Sequence, residues 1–295
     1  SRLRRRGRTP PTINSEEFGW TKAVSGGPRQ RRFVMRCLNR LIAATAVAGL
    51  AVGCGSTGGA APLSVTSTVL SQETGGEIAV FAPEGEGSWP VVYALHGASS
   101  NWQRLAGTAS ELASHGTVVF APNYQTASQP QALEGTECGY RFVHSIAGDH
   151  GGDLDQPVAI VGHSFGAFLG LNIGLDAALY GPAGTYDACF TGAPRPDLIA
   201  AIAGCYYQVE DQEFDFDPVG WGWANQQAEL ILVAGMEDID CEAWQSEDAS
   251  AALELAGYNV ELVEIAGADH GSLVFPVADE ETVQAILDAI AAAGR

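Results

Sequence analysis

The chain has 295 residues, and with 46% of them hydrophobic it can bury the core of one α/β domain of ordinary size. Its formal net charge is −20, but residues 54–295 hold four basic against 33 acidic residues, a net charge of −29. So acidic a body repels nucleic acids and anionic lipid headgroups, which excludes a nucleic-acid-binding role. The acidity is typical of a solvated surface, and acidic residues that serve a ligand are the alternative.

Residues 1–34 are rich in arginine and show no sustained apolar period. We interpret them as a disordered segment or as an upstream extension of the reading frame. Met35 would make a natural start, because a short basic segment and the apolar run 41–53 come directly after it. That run is too short to span a bilayer, so residues 35–53 are predicted to be a signal peptide.

The end of the apolar run, LAVGC at 50–54, resembles the lipobox of bacterial lipoproteins. The resemblance implies that Cys54 is lipidated and that 54–63 is a flexible tether, although Ala51 departs from the leucine usual at its position. We expect a protein anchored in the cell envelope outside the cytoplasmic membrane, which touches that membrane only through its lipid. The alternatives are secretion after an ordinary signal cleavage, or a buried apolar helix.

Four cysteines remain for the folded domain, and none has metal-ligand spacing, so a structural zinc site is not expected. They are Cys138, Cys189, Cys205 and Cys241. Four cysteines allow three pairings, and the sequence does not choose among them.

From residue 64 onward, apolar or alternating runs predict eight strands with helical patterns between most of them. The strands are predicted over 64–70, 76–82, 91–95, 117–121, 158–161, 198–203, 229–234 and 259–265. The helices are predicted over 102–115, 140–147, 167–179, 247–256 and 280–292. Because only the first two strands are close enough to form a hairpin, the fold class is α/β with a mainly parallel eight-stranded sheet flanked by helices.

Residues 157–175 read as a strand, a sharp turn and a helix, with Ser164 in the turn. A side chain at Gly162 or Gly166 would collide with the backbone of so tight a turn. The G-x-S-x-G pattern between a strand and a helix favours a nucleophile elbow, and a turn that merely contains a serine is the alternative.

Five segments in this order resemble the α/β-hydrolase superfamily across 64–295, in particular its dienelactone-hydrolase, platelet-activating-factor-acetylhydrolase and polyesterase (cutinase-like) branches. They are VVYALHGASSNW (91–102), LASHGTVVFAPNY (112–124), GHSFGA (162–167), LILVAGMEDID (230–240) and GADHGSL (267–273). The resemblance implies the α/β-hydrolase fold and a serine hydrolase that uses no cofactor.

A serine hydroxyl needs a base, and imidazole suits neutral water. His270 is the one histidine of six that comes after Ser164 in the chain, just past a predicted strand. The acid that orients it should come after a strand between the two, and Asp238 stands where the superfamily places that residue. The alternatives are Asp240, Glu237, Asp211, Asp215 and Asp217. Asp269, adjacent to the base in sequence, is interpreted as structural.

An ester carbonyl under attack needs N–H donors for its oxyanion. We expect one from Phe165, at the start of the helix after the nucleophile, and one from Ala98, in the loop after the strand at 91–95. The alternative for that loop is a plain glycine turn.

The segment 205–223 is long, aromatic and acidic, and it is expected to lie over the mouth of the site. The alternative is that its aromatic residues pack the loop onto the body. The candidate substrate contacts are Ser99, His163, Tyr206, Tyr207, Trp221 and Trp223. Two acidic clusters could hold calcium, but neither has an EF-hand pattern, so no metal site is expected and calcium is the alternative; they are Asp149, Asp153 and Asp155, and Asp211, Asp215 and Asp217.

Together these features predict a monomeric, exported serine hydrolase of small or polymeric carboxylic esters. The same machinery could cleave an amide, lactone or thioester, or act as a perhydrolase. A binding lipoprotein that kept the fold without turnover is the alternative from a different class.

Overall fold

The computed structural model describes residues 61–71, 76–124, 129–175, 193, 195–209, 212–213, 216–218 and 225–294, all within one compact unit, Gly58–Arg295. The predicted signal peptide and most of the predicted tether, including Cys54, lie outside the described residues. So do Cys189, Asp211, Asp215, Trp221 and Trp223. The described residues cover most of the hydrolase-like body at 64–295.

A mainly parallel eight-stranded sheet forms the centre of this unit, as predicted. The described strands are β1 (Val65–Ser71), β2 (Glu77–Pro83), β3 (Val91–Leu95), β4 (Val118–Pro122), β5 (Val158–His163), β6 (Leu198–Ile202), β7 (Gln208–Val209), β8 (Gln212–Glu213), β9 (Glu229–Gly235) and β10 (Val260–Ile265). The sheet has the order β1-β2-β4-β3-β5-β6-β9-β10. Strand β2 is antiparallel to both β1 and β4, and the remaining neighbours are parallel. Strands β7 and β8 form a separate short hairpin.

Helices cover both faces of the sheet. They are α1 (Ala106–Ser114), α2 (Gln129–Ile146), α3 (Phe165–Leu175), α4 (Ala243–Leu255) and α5 (Glu280–Ala293), with short 3-10 turns at Trp102–Arg104 and Ala147–His150. The predicted helix over 102–115 is therefore divided. None of the described helices combines the length and the hydropathy that crossing a membrane requires.

Two hydrophobic cores lie on opposite faces because side chains alternate along a strand. Val91, Tyr93 and Leu95 of β3 point into the core shared with α2, α3 and α4. Val92 and Ala94 point into the core shared with α1 and α5. Burying one leucine or isoleucine of this kind contributes about 1.5–3 kcal/mol. The strands are thus held from both sides, and the loops that leave them start from fixed points.

The carboxyl ends of the parallel strands meet at one edge of the sheet, where open α/β sheets bind ligands. Among the described residues, a positive φ outside glycine occurs at Ser99 (53°), Ser164 (58°) and Ala203 (48°). These three residues come after β3, β5 and β6, and such strain concentrates at functional sites. The backbone alone therefore marks this edge as the candidate site.

Candidate active site

Ser164 lies in the turn between β5 and α3, with its amide donating a hydrogen bond to the Ile202 carbonyl at 2.9 Å. A Cβ on Gly162 would lie 2.2 Å from the Gly166 carbonyl oxygen, and one on Gly166 would lie 2.4 Å from the Leu95 carbonyl oxygen. Real Cβ atoms do not approach backbone this closely, so only glycine fits at either position. The predicted steric role of both glycines is confirmed, and the tight turn displays Ser164 at the carboxyl edge.

The loop after β3 packs directly against this turn. A Cβ on Gly97 would lie 3.0 Å from Ser164 Cβ. Tyr124 Oη donates a hydrogen bond to the His96 carbonyl, and the two rings stack with centroids 4.1 Å apart. These contacts fix the loop that carries Ala98 beside Ser164.

The two predicted oxyanion donors belong to the loop and the helix that flank Ser164. Ala98 comes after Gly97 in the loop after β3, and Phe165 opens helix α3. Within the described part of the chain, neither N–H donates a hydrogen bond to another residue. Free amides at a helix N-terminus and in a loop facing it are suited to stabilise negative charge on a substrate oxygen.

Asp238 and His270 form a hydrogen-bonded pair. His270 Nδ1 lies 2.8 Å from Asp238 Oδ2, with the carboxylate fully buried and the imidazole 18% exposed. The other carboxylate oxygen, Oδ1, accepts from the amides of Asp240 (2.9 Å) and Cys241 (2.8 Å). Because the carboxylate oxygens only accept, the ring carries its proton on Nδ1, which leaves Nε2 free to act as a base.

Ser164 Oγ lies near Cys205 Sγ, at 3.9 Å, and no hydrogen bond joins it to His270 among the described residues. In substrate-free enzymes the bond between nucleophile and base is often long or poorly aligned, and it tightens when substrate binds. The structure thus brings Asp238 to His270, and it places the serine at the same edge of the sheet without that last contact.

His163, a predicted substrate contact, is buried and packs against His270 instead. Its Nε2 donates to the His270 carbonyl at 2.8 Å, and the two rings lie 4.7 Å apart. Burial lowers the pKa of His163 to about 4, and the neighbouring His270 adds to this. His163 is therefore neutral at pH 7, with its proton on Nε2, and it holds the loop that carries His270.

Helix α1 and the 3-10 turn before it hold the same loop. The buried Thr108 hydroxyl donates to the Val274 carbonyl at 2.7 Å and accepts from the Ala278 amide at 2.8 Å. The Arg104 guanidinium lies 4.2 Å from the centre of the Phe275 ring, a cation–π contact. Asp269 binds the amides of the turn directly after it, which agrees with the structural role predicted for it.

The predicted aromatic contacts have different environments. Tyr206 is fully buried and packs on Phe216 with ring centroids 5.1 Å apart, so it belongs to the core and not to a substrate-facing surface. Tyr207 is half-buried and stacks on Trp244 at 5.9 Å. Ser99 remains at the edge of the site with its positive φ. Sequence reasoning missed Trp244, because nothing near it in sequence marks it and only the fold brings it to Tyr207.

Asp238, Asp240 and His270 also form a described group whose potential metal-ligand atoms lie within 4.8 Å of one another. Both oxygens of Asp238 are already used by His270 Nδ1 and by two backbone amides. Asp153, from the predicted acidic clusters, accepts from the Ser88 hydroxyl and from the Asp155 amide. Hydrogen bonding within the protein thus accounts for the carboxylates of Asp238 and Asp153.

Two buried histidines predict that acid destabilises the protein. Burial lowers the pKa of both His163 and His144 to about 4, and neither nitrogen of His144 has a partner in the described structure. Since the unfolded state takes up these protons near pH 6.5, the stabilisation is complete above that pH and is lost as pH falls toward 4.

At pH 5 the free energy of unfolding is lower than at pH 7.5 by about 2 kcal/mol for each of the two histidines. The urea concentration at the unfolding midpoint should therefore be lower at pH 5 than at pH 7.5. His144→Gln should make this difference between the two pH values smaller. An equally steep dependence in that variant would contradict the assignment to His144.

No family model matches the chain, and no curated protein matches it in sequence. Solved structures do. Esterase B from Lactobacillus rhamnosis has a TM-score of 0.64 at 14% identity, covering 80% of this chain and 88% of that one. The esterase Est2 from Thermogutta terrifontis, with propionate bound, has a TM-score of 0.59 at 15% identity, covering 78% of this chain and 94% of that one. An esterase structure from Rhizomucor miehei has a TM-score of 0.56 at 16% identity, covering 79% of this chain and 84% of that one. At these identities the likeness shows the fold, and the chain has the α/β-hydrolase fold.

Proposed function

We propose that this protein is a serine hydrolase of carboxylic esters in which Ser164 is the nucleophile, His270 the base and Asp238 the orienting acid. The observation that carries the proposal is the buried hydrogen bond from His270 Nδ1 to Asp238 Oδ2, 2.8 Å long, at the sheet edge that displays Ser164. A binding protein that kept this fold but had lost turnover would not need a buried carboxylate hydrogen-bonded to this imidazole. The mechanism inferred from these residues needs no cofactor.

Acylation begins when His270 Nε2 takes the proton of Ser164 as Oγ attacks the ester carbonyl carbon. The carbonyl electrons move onto oxygen, and the amides of Ala98 and Phe165 stabilise that charge. Asp238 stabilises the imidazolium. The tetrahedral intermediate then expels the alcohol, which takes the proton from His270, and the acyl group stays on Ser164.

Deacylation repeats these steps with water as the nucleophile. His270 removes a proton from water, and the hydroxyl attacks the acyl carbon of the ester on Ser164. When this second intermediate collapses, Ser164 Oγ leaves and recovers its proton from His270. The same groups therefore serve both halves of the reaction.

The solved structures of similar fold support an ester substrate, since they include esterases from a bacterium and a fungus. The acyl groups are proposed to be small, as free short-chain esters or as segments of a polyester, because the buried Cys205 Sγ, 3.9 Å from Ser164 Oγ, occupies space beside it. Export with a lipid anchor at Cys54 remains part of the proposal. The disulfide between Cys205 and Cys241 supports the export, since such bonds persist in oxidising compartments.

The proposal is tested by initial rates on p-nitrophenyl esters from acetate to palmitate, at low and high salt because of the acidic body. We expect kcat/KM to be highest for the short esters and at least about tenfold lower for palmitate, since a crowded site rejects added methylenes. Failure of the folded protein to hydrolyse any of them would contradict it. Amides and lactones would then be the next substrates to test.

A further inference from the structure

The disulfide between Cys205 and Cys241 joins the loop that carries Asp238 to the loop after β6, where Cys205 lies beside Ser164. Cys205 comes after β6, whose neighbour β5 leads to Ser164, and Cys241 comes after Asp238 in the loop after β9. The two Cα atoms lie 4.9 Å apart, although 36 residues separate them along the chain. Both cysteines are buried. The bond is thus a covalent connection within the candidate site.

Backbone and side-chain contacts fix the Cys205 end. Its sulfur lies 3.9 Å from Ser164 Oγ. Just before it, the Ala203 amide donates to the Val233 carbonyl at 2.8 Å. Just after it, the amides of Tyr206 and Tyr207 both donate to the buried Gln245 Oε1, at 3.1 and 2.9 Å. Cys205 is therefore a rigid anchor point beside the nucleophile.

The Cys241 end determines how Asp238 is oriented. The Cys241 amide donates to Asp238 Oδ1 at 2.8 Å, which turns Oδ2 toward His270. The two large hydrophobic side chains of this loop do not anchor it, because Met236 is exposed and Ile239 is 86% exposed. Backbone hydrogen bonds hold the first half of the loop, at Met236 and Glu237. The second half, with the donor to Asp238, is connected to the rigid anchor through the disulfide.

We propose that the Cys205–Cys241 disulfide is a positioning element of the triad, and that reducing it slows turnover by releasing the Cys241 amide from Asp238. This inference rests on the proposed function. In the reduction, two electrons pass from a dithiol to the disulfide. The S–S bond breaks, each protein sulfur gains a proton from the dithiol, and the dithiol closes into a cyclic disulfide.

The first test is the double variant Cys205→Ala/Cys241→Ala. A misplacement of about 1 Å at a catalytic group costs about 100-fold in rate, so we expect kcat to fall about 10- to 100-fold with KM changed less than about threefold. Because losing a disulfide also lowers stability, rates are compared at a temperature where circular dichroism shows both proteins folded. An unchanged kcat in the folded variant would overturn the inference.

Dithiothreitol provides the second test. It should lower kcat of the wild type toward that of the double variant and leave the double variant unchanged. This comparison also controls for Cys138, which is disulfide-bonded as well. If the double variant lost as much activity on reduction as the wild type does, the effect would come from another bond and the inference would be wrong.

A mutant cycle with Asp238→Asn separates positioning from general support of the fold. If the disulfide acts through Asp238, removing it in the Asp238→Asn background should change kcat less than about threefold, because groups that act as a unit are not additive. An equal loss in both backgrounds would show a merely structural bond and overturn the inference.

Labelling by a fluorophosphonate keeps this test independent of the ester substrate. Ser164 Oγ attacks phosphorus, its proton passes to His270, and fluoride leaves as the new P–O bond forms. If the wild type labels but hydrolyses no ester, the proposed ester substrate fails while the labelling rate still reports on the triad. We expect reduction to slow labelling of the wild type about 10-fold or more. A labelling rate unaffected by reduction would overturn the inference.

Discussion

Replacing Asp238 by asparagine is expected to lower kcat for ester hydrolysis by about 10⁴-fold while the protein stays folded. The amide oxygen of the new side chain can still accept from the amides of Asp240 and Cys241, at 2.9 and 2.8 Å in the wild type. Its NH₂ group then faces His270 Nδ1. An NH₂ donor requires Nδ1 to accept, which moves the ring proton to Nε2. In that tautomer His270 cannot take the proton of Ser164.

Asp240→Asn is the matched control, since Asp240 is a carboxylate of the same loop and was an alternative candidate for the acid. Its side chain is exposed, and the backbone amide that it contributes to Asp238 is unchanged by the substitution. We expect kcat within about threefold of the wild type, as for most exposed substitutions. Steady-state rates on p-nitrophenyl butyrate measure both variants. A larger loss in Asp240→Asn than in Asp238→Asn would transfer the acid role to Asp240.

The sheet could be predicted from the sequence because its strands are short apolar runs buried on both faces. Strand β3 has the predicted bounds, and β5 extends two residues beyond its predicted end, through Gly162 and His163 into the nucleophile turn. Periodicity identifies such strands because burial on both faces leaves few polar residues between the turns that bound them.

Helix α2 was predicted too short, from Tyr140, although it begins at Gln129. Gly135 and Gly139 weaken the helical pattern in its first half, since glycine is a poor helix former. Tertiary contacts decide the outcome: Tyr93 Oη donates to the Thr136 carbonyl at 2.9 Å and occupies the space that a side chain at Gly139 would fill. A contact between residues so far apart in sequence leaves no local signal.

In the candidate site, too, features with a local sequence pattern could be predicted and those that depend on long-range contacts could not. Ser164 and His270 could be proposed from the sequence because the turn and the loop around them have local patterns that the chemistry requires. The partners that hold them were not, since Thr108 contacts a residue 166 positions away and Cys205 pairs across 36 positions. The position of Tyr206 in the core and the stacking of Trp244 on Tyr207 likewise depend on packing that a single sequence does not reveal.

Ser164→Ala is expected to have the largest effect, a loss of about 10⁶-fold in kcat, because no other group can form the acyl intermediate. Alanine is the right replacement. Ser164 has a φ of 58°, a conformation that costs alanine about as much as serine, so the turn and the stability should be retained. Ser145→Ala, which removes an exposed serine on α2, is the matched control and should keep kcat within about twofold.

The rate of p-nitrophenyl butyrate hydrolysis by the wild type, Ser164→Ala and Ser145→Ala, measured side by side on protein shown to be folded, tests the central claim most directly. The claim is that ester cleavage proceeds through an acyl group on Ser164. It predicts turnover by the wild type and by Ser145→Ala, and a kcat about 10⁶-fold lower with Ser164→Ala. Turnover by folded Ser164→Ala at the wild-type rate would contradict it.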